Sequence, residues 1–230
     1  VCKNKAFQQQ TCKTELDLIR EIPLILQSAC LIHDIGNPPF GHFGESVIQN
    51  YFKKLFAKQR QLKIELERKK EKATYEEVLE IEKEINRLFN LTPLEEEDFT
   101  NFDGNAQGFR VITKLQILDD DKGLNLTSAT LATYLKYPNT EKIDKTLGIH
   151  KKKRGVFQSE KEYLNQIADN CGMKVNGEII RHPLCYLMEA ADSICYLIMD
   201  LEDGFNKGWY DYRFIKGYFL KIPGLKDQFK

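Results

Sequence analysis

Four side chains able to move a proton or hold a metal ion, His33, Asp34, His42 and Glu45, fall close together in Ala-Cys-Leu-Ile-His-Asp-Ile-Gly-Asn-Pro-Pro-Phe-Gly-His-Phe-Gly-Glu, residues 29–45. Helical neighbours point about 100° apart, so His33 and Asp34 reach one ion only beside a helix end. The Asn37-Pro-Pro break supplies such an end. Taken alone, the pair also reads as a buried histidine with a carboxylate partner. Gly36, Pro38, Pro39, Gly41 and Gly44 make a stiff loop that presents His42 over whatever His33 and Asp34 bind. Glu45 faces His42 if a helix starts near Gly41, giving a carboxylate-oriented imidazole suited to general acid–base work near neutral pH.

A second set lies far along the chain. Asp192, Tyr196, Asp200 and Asp203 share one helical stripe within an otherwise apolar run. The run reads as a buried helix, where acids are costly unless a cation or a hydrogen-bond partner neutralises them. A structural polar network is the competing reading. Lys151 to Arg154 is a basic cluster able to touch phosphate, and on its own it reads as a solvated loop. His182, just before Pro183, reads as a cap or packing residue; His150 carries no assigned role.

The elements that must position these residues are helical. Apolar spacing gives helices over 15–31, from 45 onward, and over 105–118, 125–135, 159–171 and 183–205, with Tyr137-Pro138 closing the fourth. No alternating strand pattern stands out, so the class is all-α, or mainly α. Residues 53–98 are strongly charged with two sparse apolar stripes, and Thr74 and Glu77 form a capping box between them. That segment reads as a helical hairpin set into the domain. The C-terminal aromatics, Trp209 to Phe219, continue the core or begin another piece.

Composition excludes several classes. Lys+Arg and Asp+Glu are both 34, so no global field favours nucleic acid or an anionic membrane. With 42% hydrophobic residues the chain can bury a sizeable core, and it reads as one domain over 1–230. Six cysteines without a Cys-x-x-Cys pair, several in apolar helical runs, read as reduced and buried in a cytoplasmic protein. The longest apolar runs are short of a membrane span. A chain that starts at Val1 reads as part of a longer protein, truncated at both ends.

Six ordered blocks resemble the bacterial dGTP triphosphohydrolases (dGTPases) of the HD-domain superfamily. They are residues 29–45, Phe102-Asp-Gly-Asn-Ala-Gln-Gly-Phe-Arg110, Gly123-Leu-Asn-Leu-Thr-Ser-Ala-Thr130, Leu135-Lys-Tyr-Pro138, Phe157-Gln-Ser-Glu-Lys161 and Arg181-His-Pro-Leu-Cys-Tyr-Leu-Met-Glu-Ala-Ala-Asp192. They span nearly all of the chain except the charged hairpin.

The resemblance implies an HD-domain helical fold binding one divalent metal, Mn or Mg, through His33, Asp34, Asp192 and a histidine expected upstream of Val1. It implies hydrolysis of dGTP, and of other dNTPs in a broader enzyme, to deoxynucleoside and inorganic triphosphate. His42 and Glu45 match the proton-transfer pair, while Tyr196 and Asp200 match positions that contact the sugar. Lys136, Tyr137, Asn105 and Arg110 are candidates for triphosphate and substrate contact. A homo-oligomer, by resemblance a hexamer, and a nucleotide or single-stranded DNA effector are further implied. Asp103 stands where a Glu is usual, and Ser193 where a second acid is common. The alternatives are another HD phosphohydrolase, acting on a monophosphate or phosphodiester, and an inactive dNTP- or nucleic-acid-binding module.

Overall fold

A computed structural model describes residues 14–116 and 122–224; Cys2, Cys12 and the expected helix terminus Leu118 lie outside the described residues. The chain divides into two compact units, Val1–Cys185 and Tyr186–Lys230. The class is mainly α: helices dominate, and the only strands among the described residues are two-residue β1 (Lys174–Val175) and β2 (Glu178–Ile179), paired antiparallel. Among the described residues no helix is long and apolar enough to cross a membrane.

In the first unit, helix α1 (Glu15–Ile32) starts at a Thr14–Asp17 capping box and ends at His33. Leu18 and Ala29 are buried, whereas Leu16 and Ile19 stay exposed. Helix α2 (Gly41–Lys70) carries His42 and Glu45 in its first turns. Its charged second half turns back at residues 71–74 into α3 (Tyr75–Asn86), where the Thr74 N–H donates to Glu77 Oε2 at 2.8 Å. Helix α4 (Pro93–Thr100), capped by Thr92, packs on α2.

Two expected helices are shorter than their apolar spacing suggests. The first is α5 (Gly104–Arg110), which passes into a π-helical turn at Val111–Leu115; there the Gln116 N–H donates to Val111 O at 2.8 Å. Helix α6 (Ser128–Tyr134) begins only after Thr127, whose hydroxyl accepts the Thr130 N–H. It packs against α1, and α7 (Lys161–Asn170) packs against α6. Phe109, Ile112, Leu131, Leu135, Leu164 and Ile167 form the centre of the core between them.

Helix α8 (Pro183–Asn206) opens at the end of the first unit with Pro183 in its first turn, where a missing N–H costs nothing. His182 Nδ1 accepts the Leu184 N–H at 3.3 Å, and burial holds the imidazole below its ordinary 6.5. Such a cap needs a neutral ring, because protonation removes the acceptor. With a lowered folded pKa, the unfolded chain takes up the proton first. This contribution is therefore whole above the ordinary pKa and declines as pH falls through it toward the folded value. His182→Asn keeps a capping oxygen and is expected to flatten the loss of melting temperature between about pH 7 and about pH 5. An unchanged pH slope would assign that loss to other groups.

In the C-terminal unit, α8 turns at Lys207–Tyr210 into α9 (Tyr212–Phe219). Asp211 accepts the Phe214 N–H at 2.8 Å, and the Tyr210 hydroxyl donates to Leu201 O. Ile194, Leu197, Ile198 and Met199 are each about three-fifths exposed, and Cys195 is exposed too. The expectation of a buried helix is thus not met within this unit. An apolar run marks a face that burial would favour, and 45 residues carry little to cover it with.

Candidate active site

The His33-Asp34 turn is held from behind by α5. The Ile35 N–H donates to Ile32 O and the Asn37 N–H to Asp34 O, so the chain leaves α1 through two tight turns. A Cβ placed on Gly36 would lie 2.0 Å from the Gly108 nitrogen and 2.2 Å from the Gly104 oxygen. Turn and helix therefore touch backbone to backbone, which only glycine permits. The Tyr134 hydroxyl donates to Asn105 O at 2.8 Å on the same helix, and burial first, then Asp103 and Asp34, holds its phenol well above the ordinary range.

His33 Nδ1 lies 2.6 Å from Cys30 O, and a carbonyl can only accept, so this nitrogen carries a proton. The other ring nitrogen, Nε2, lies 3.3 Å from Asp34 Oδ2. In the neutral ring those are two lone-pair atoms at close approach, a contact that a cation between them would relieve; among the described residues no group of three or more His, Cys, Asp or Glu side chains gathers where a metal ion could sit. A carbonyl bond to the far nitrogen is also how a ligating histidine is usually oriented. Asp192 lies on α8 in the C-terminal unit, as do Tyr196 and Asp200, four and eight residues further along the same helix.

His42 and Glu45 meet within the first turns of α2, with His42 Nδ1 2.8 Å from Glu45 Oε2. Their environments differ sharply: the imidazole is 87% exposed and the carboxylate 8%. Glu45 Oε1 accepts the Gly104 N–H at 2.7 Å, so both carboxylate oxygens are engaged in fixed directions. Just ahead of α2, Phe40 adopts left-handed φ of 66°, a conformation costly for an aromatic residue, on the order of 1–3 kcal/mol. It delivers His42 directly out of the Pro-Pro loop.

Beside Glu45 opens a cleft of about 380 Å³ lined by Gln49, Asp103, Lys145, Lys152 and Lys153 among others. Asp103 Oδ2 pairs with Lys153 Nζ at 2.8 Å, while Oδ1 accepts both the Asn105 N–H and its side-chain amide. Burial opposes the charge on Lys153, yet Asp103 and then Glu45 hold its ammonium above the ordinary value. Lys153 also lies 5.9 Å over the Tyr137 ring, and Lys136 precedes that residue just past the C-cap of α6. Arg110 points elsewhere, binding Ser159 Oγ and the buried Glu160 Oε1, each at 2.8 Å. Asn105 spends its amide on Asp103.

The basic cluster is not a solvated loop. Arg154 is fully buried, with Nη1 on Asp98 Oδ1 at 2.6 Å and Nη2 on Glu97 Oε2 at 2.7 Å. Lys151 pairs with Glu178 at 2.7 Å. Like-charged sequence neighbours were sorted by acidic partners that sequence spacing does not reveal. The Asp103-Gly104 cap behind Glu45 carries a local sequence signal, an N-capping Asp followed by Gly at a helix start, although its partner lies far away in the chain.

Among comparisons with known proteins, no family model matches. A Pseudomonas aeruginosa (strain LESB58) protein named deoxyguanosinetriphosphate triphosphohydrolase-like protein is 42% identical over 206 residues, covering 89% of this chain and 40% of that protein. A Synechocystis sp. protein of the same name is 41% identical over 210 residues, covering 87% and 42%. The deoxyguanosinetriphosphate triphosphohydrolase of Yersinia enterocolitica is 37% identical over 187 residues, covering 80% and 35%. The chain thus spans about two-fifths of the length of the curated relatives it matches.

Proposed function

We propose, from the premise that over most of its length this chain belongs to the deoxyguanosinetriphosphate triphosphohydrolase family, that the protein splits a deoxynucleoside triphosphate into deoxynucleoside and inorganic triphosphate. The observation that carries this reading is the His42–Glu45 dyad, an exposed imidazole whose orientation a buried carboxylate sets. With Nδ1–H on Glu45, Nε2 presents a lone pair outward. It accepts a proton from the water attacking the α-phosphorus, and the imidazolium so formed returns it to the sugar 5′-oxygen as that bond breaks. Glu45, fixed by the Gly104 N–H, stabilises the imidazolium between the two transfers.

His33 and Asp34, with Asp192 as the family resemblance implies, would hold a divalent ion, Mn or Mg, which would supply positive charge against the phosphoryl oxygens. Lys145 and Lys152, exposed in the cleft beside Glu45, and Lys136 with Tyr137 offer counter-charge and hydrogen bonds to the phosphate chain. Tyr196 and Asp200 take the sugar, with Asp200 accepting from the 3′-OH and Tyr196 packing where a 2′-OH would stand. dGTP is the substrate that the relatives' names favour.

Full-length protein incubated with each dNTP and Mn or Mg is expected to release deoxynucleoside and triphosphate in equal amounts. Orthophosphate in place of triphosphate would indicate a different HD phosphohydrolase. Binding without turnover would indicate an inactive module.

A further inference from the structure

We infer that Asp103 is the positioning residue of the proton-transfer dyad: held by Lys153, it fixes the Glu45 carboxylate through the Gly104 peptide, and through Glu45 the proton position on His42. The inference rests on the reading of His42 and Glu45 given above. It adds three groups from outside α2, none of which need touch substrate.

The chain of contacts is continuous. Asp103 is the N-cap of α5, with extended backbone at φ −138° and ψ 137°, and its side chain is 5% exposed. By taking the Asn105 N–H on Oδ1, it satisfies the second donor of the helix and leaves the first, Gly104 N–H, directed at Glu45 Oε1 at 2.7 Å. Lys153 locks the other carboxylate oxygen of Asp103 at 2.8 Å and is itself held against the Tyr137 ring. The alignment admits little slack, because a Cβ on Gly104 would lie 2.4 Å from Asn37 Oδ1 and 3.2 Å from Glu45 Oε1. Glu45 is therefore gripped at Oε1 by the peptide, and Oε2 is left to His42 Nδ1.

The consequence concerns the tautomer of His42. An imidazole in water distributes its proton over both nitrogens, and among the described residues this 87% exposed ring has Glu45 as its hydrogen-bonding partner. Glu45 Oε2 accepts only, so a fixed Oε2 selects Nδ1–H and turns the Nε2 lone pair toward solvent. A carboxylate free to rotate loses that selection without losing the residue. Asp103 is spent on Asn105 and Lys153, which accounts for a buried acid beside the dyad that takes no proton-transfer role.

The test compares full-length wild type with Asp103→Asn, Asp103→Ala and, as a positive control, Glu45→Gln. Ring ¹⁵N shifts of His42 are recorded over a pH series, and the tautomer is read on the alkaline plateau of that series. The expected result is Nδ1–H in wild type, a tautomer mixture in the Asp103 variants, and a shift toward Nε2–H in Glu45→Gln, whose amide N–H donates to Nδ1 once its oxygen takes the Gly104 N–H. Triphosphate release should fall about ten- to a hundredfold in kcat for the Asp103 variants, with KM within about twofold. If Asp103→Ala fails to fold, Asp103→Asn, which retains the capping oxygen, decides. Unchanged His42 shifts in Asp103→Asn would overturn the inference, whatever happens to activity. If wild type releases no triphosphate, the functional reading falls, while the ¹⁵N shifts still decide whether Asp103 positions the dyad.

Discussion

His42→Ala is expected to lower kcat for triphosphate release by about 10²- to 10⁴-fold, the usual worth of a positioned acid–base group. Thermal stability should stay within about 0.5 kcal/mol of wild type, since the ring is 87% exposed and its interaction with Glu45 lies at the surface end of a buried carboxylate. That separation of rate from stability is the informative part. Glu45→Gln is different in kind: Glu45 receives Gly104 N–H and faces His42 Nδ1, and one amide oxygen cannot serve both positions as the carboxylate does. It should lose rate and stability together. Product assays alongside melting curves distinguish the two, and a His42→Ala rate within tenfold of wild type would remove His42 from the proton path.

The second large effect is on the fold. Arg154→Met is expected to destabilise the first unit by about 3–5 kcal/mol, because it strips the guanidinium from buried acids that remain behind. For a chain of this size that lowers the melting midpoint on the order of 10 °C. Arg154 binds Asp98, Glu97 and Leu94 O, while Asp98 Oδ2 also accepts the Gln158 N–H at 2.7 Å. Burial already pushes the Asp98 carboxyl above its ordinary value, against the pull of the Gln158 N–H and Arg154. Without Arg154 it rises further. The resulting penalty is full above the raised folded pKa and disappears below the ordinary carboxylate value, so the deficit of the variant should narrow as the melt is taken to acid pH. A pH-independent deficit would place the loss in packing instead.

The contrast between these two sites shows where sequence is informative. The His42–Glu45 contact spans three residues on one helix, so spacing alone brings the pair within reach. Helix starts were legible for the same reason, since Thr74 with Glu77 and Pro183 act on their own neighbours. Arg154 and Asp98 lie 56 residues apart, and Glu45 and Gly104 lie 59 apart. Nothing local separates an arginine that will be buried from the lysines beside it. The proton position on His33 was equally hidden, because it depends on a carbonyl found only once α1 ends where it does. The apolar run of α8 was legible as helix, yet hydropathy reports a preference for cover and not its source. The shortening at α5 follows from the π-helical turn, a backbone choice that apolar spacing does not encode.

The contact of Gly36 with Gly104 and Gly108 has a mechanical consequence. Most packed elements are separated by side chains that can change rotamer, so a displacement on one side is partly absorbed before it reaches the other. Here two peptide planes abut with no such cushion. The segment bearing His33 and Asp34 and the peptide that grips Glu45 should then move as one body, their thermal displacements correlated. Their separation is set by bond lengths and van der Waals radii. Substitutions can accumulate elsewhere in the hydrophobic interior without altering that gauge, whereas a single methyl group at Gly36 resets it.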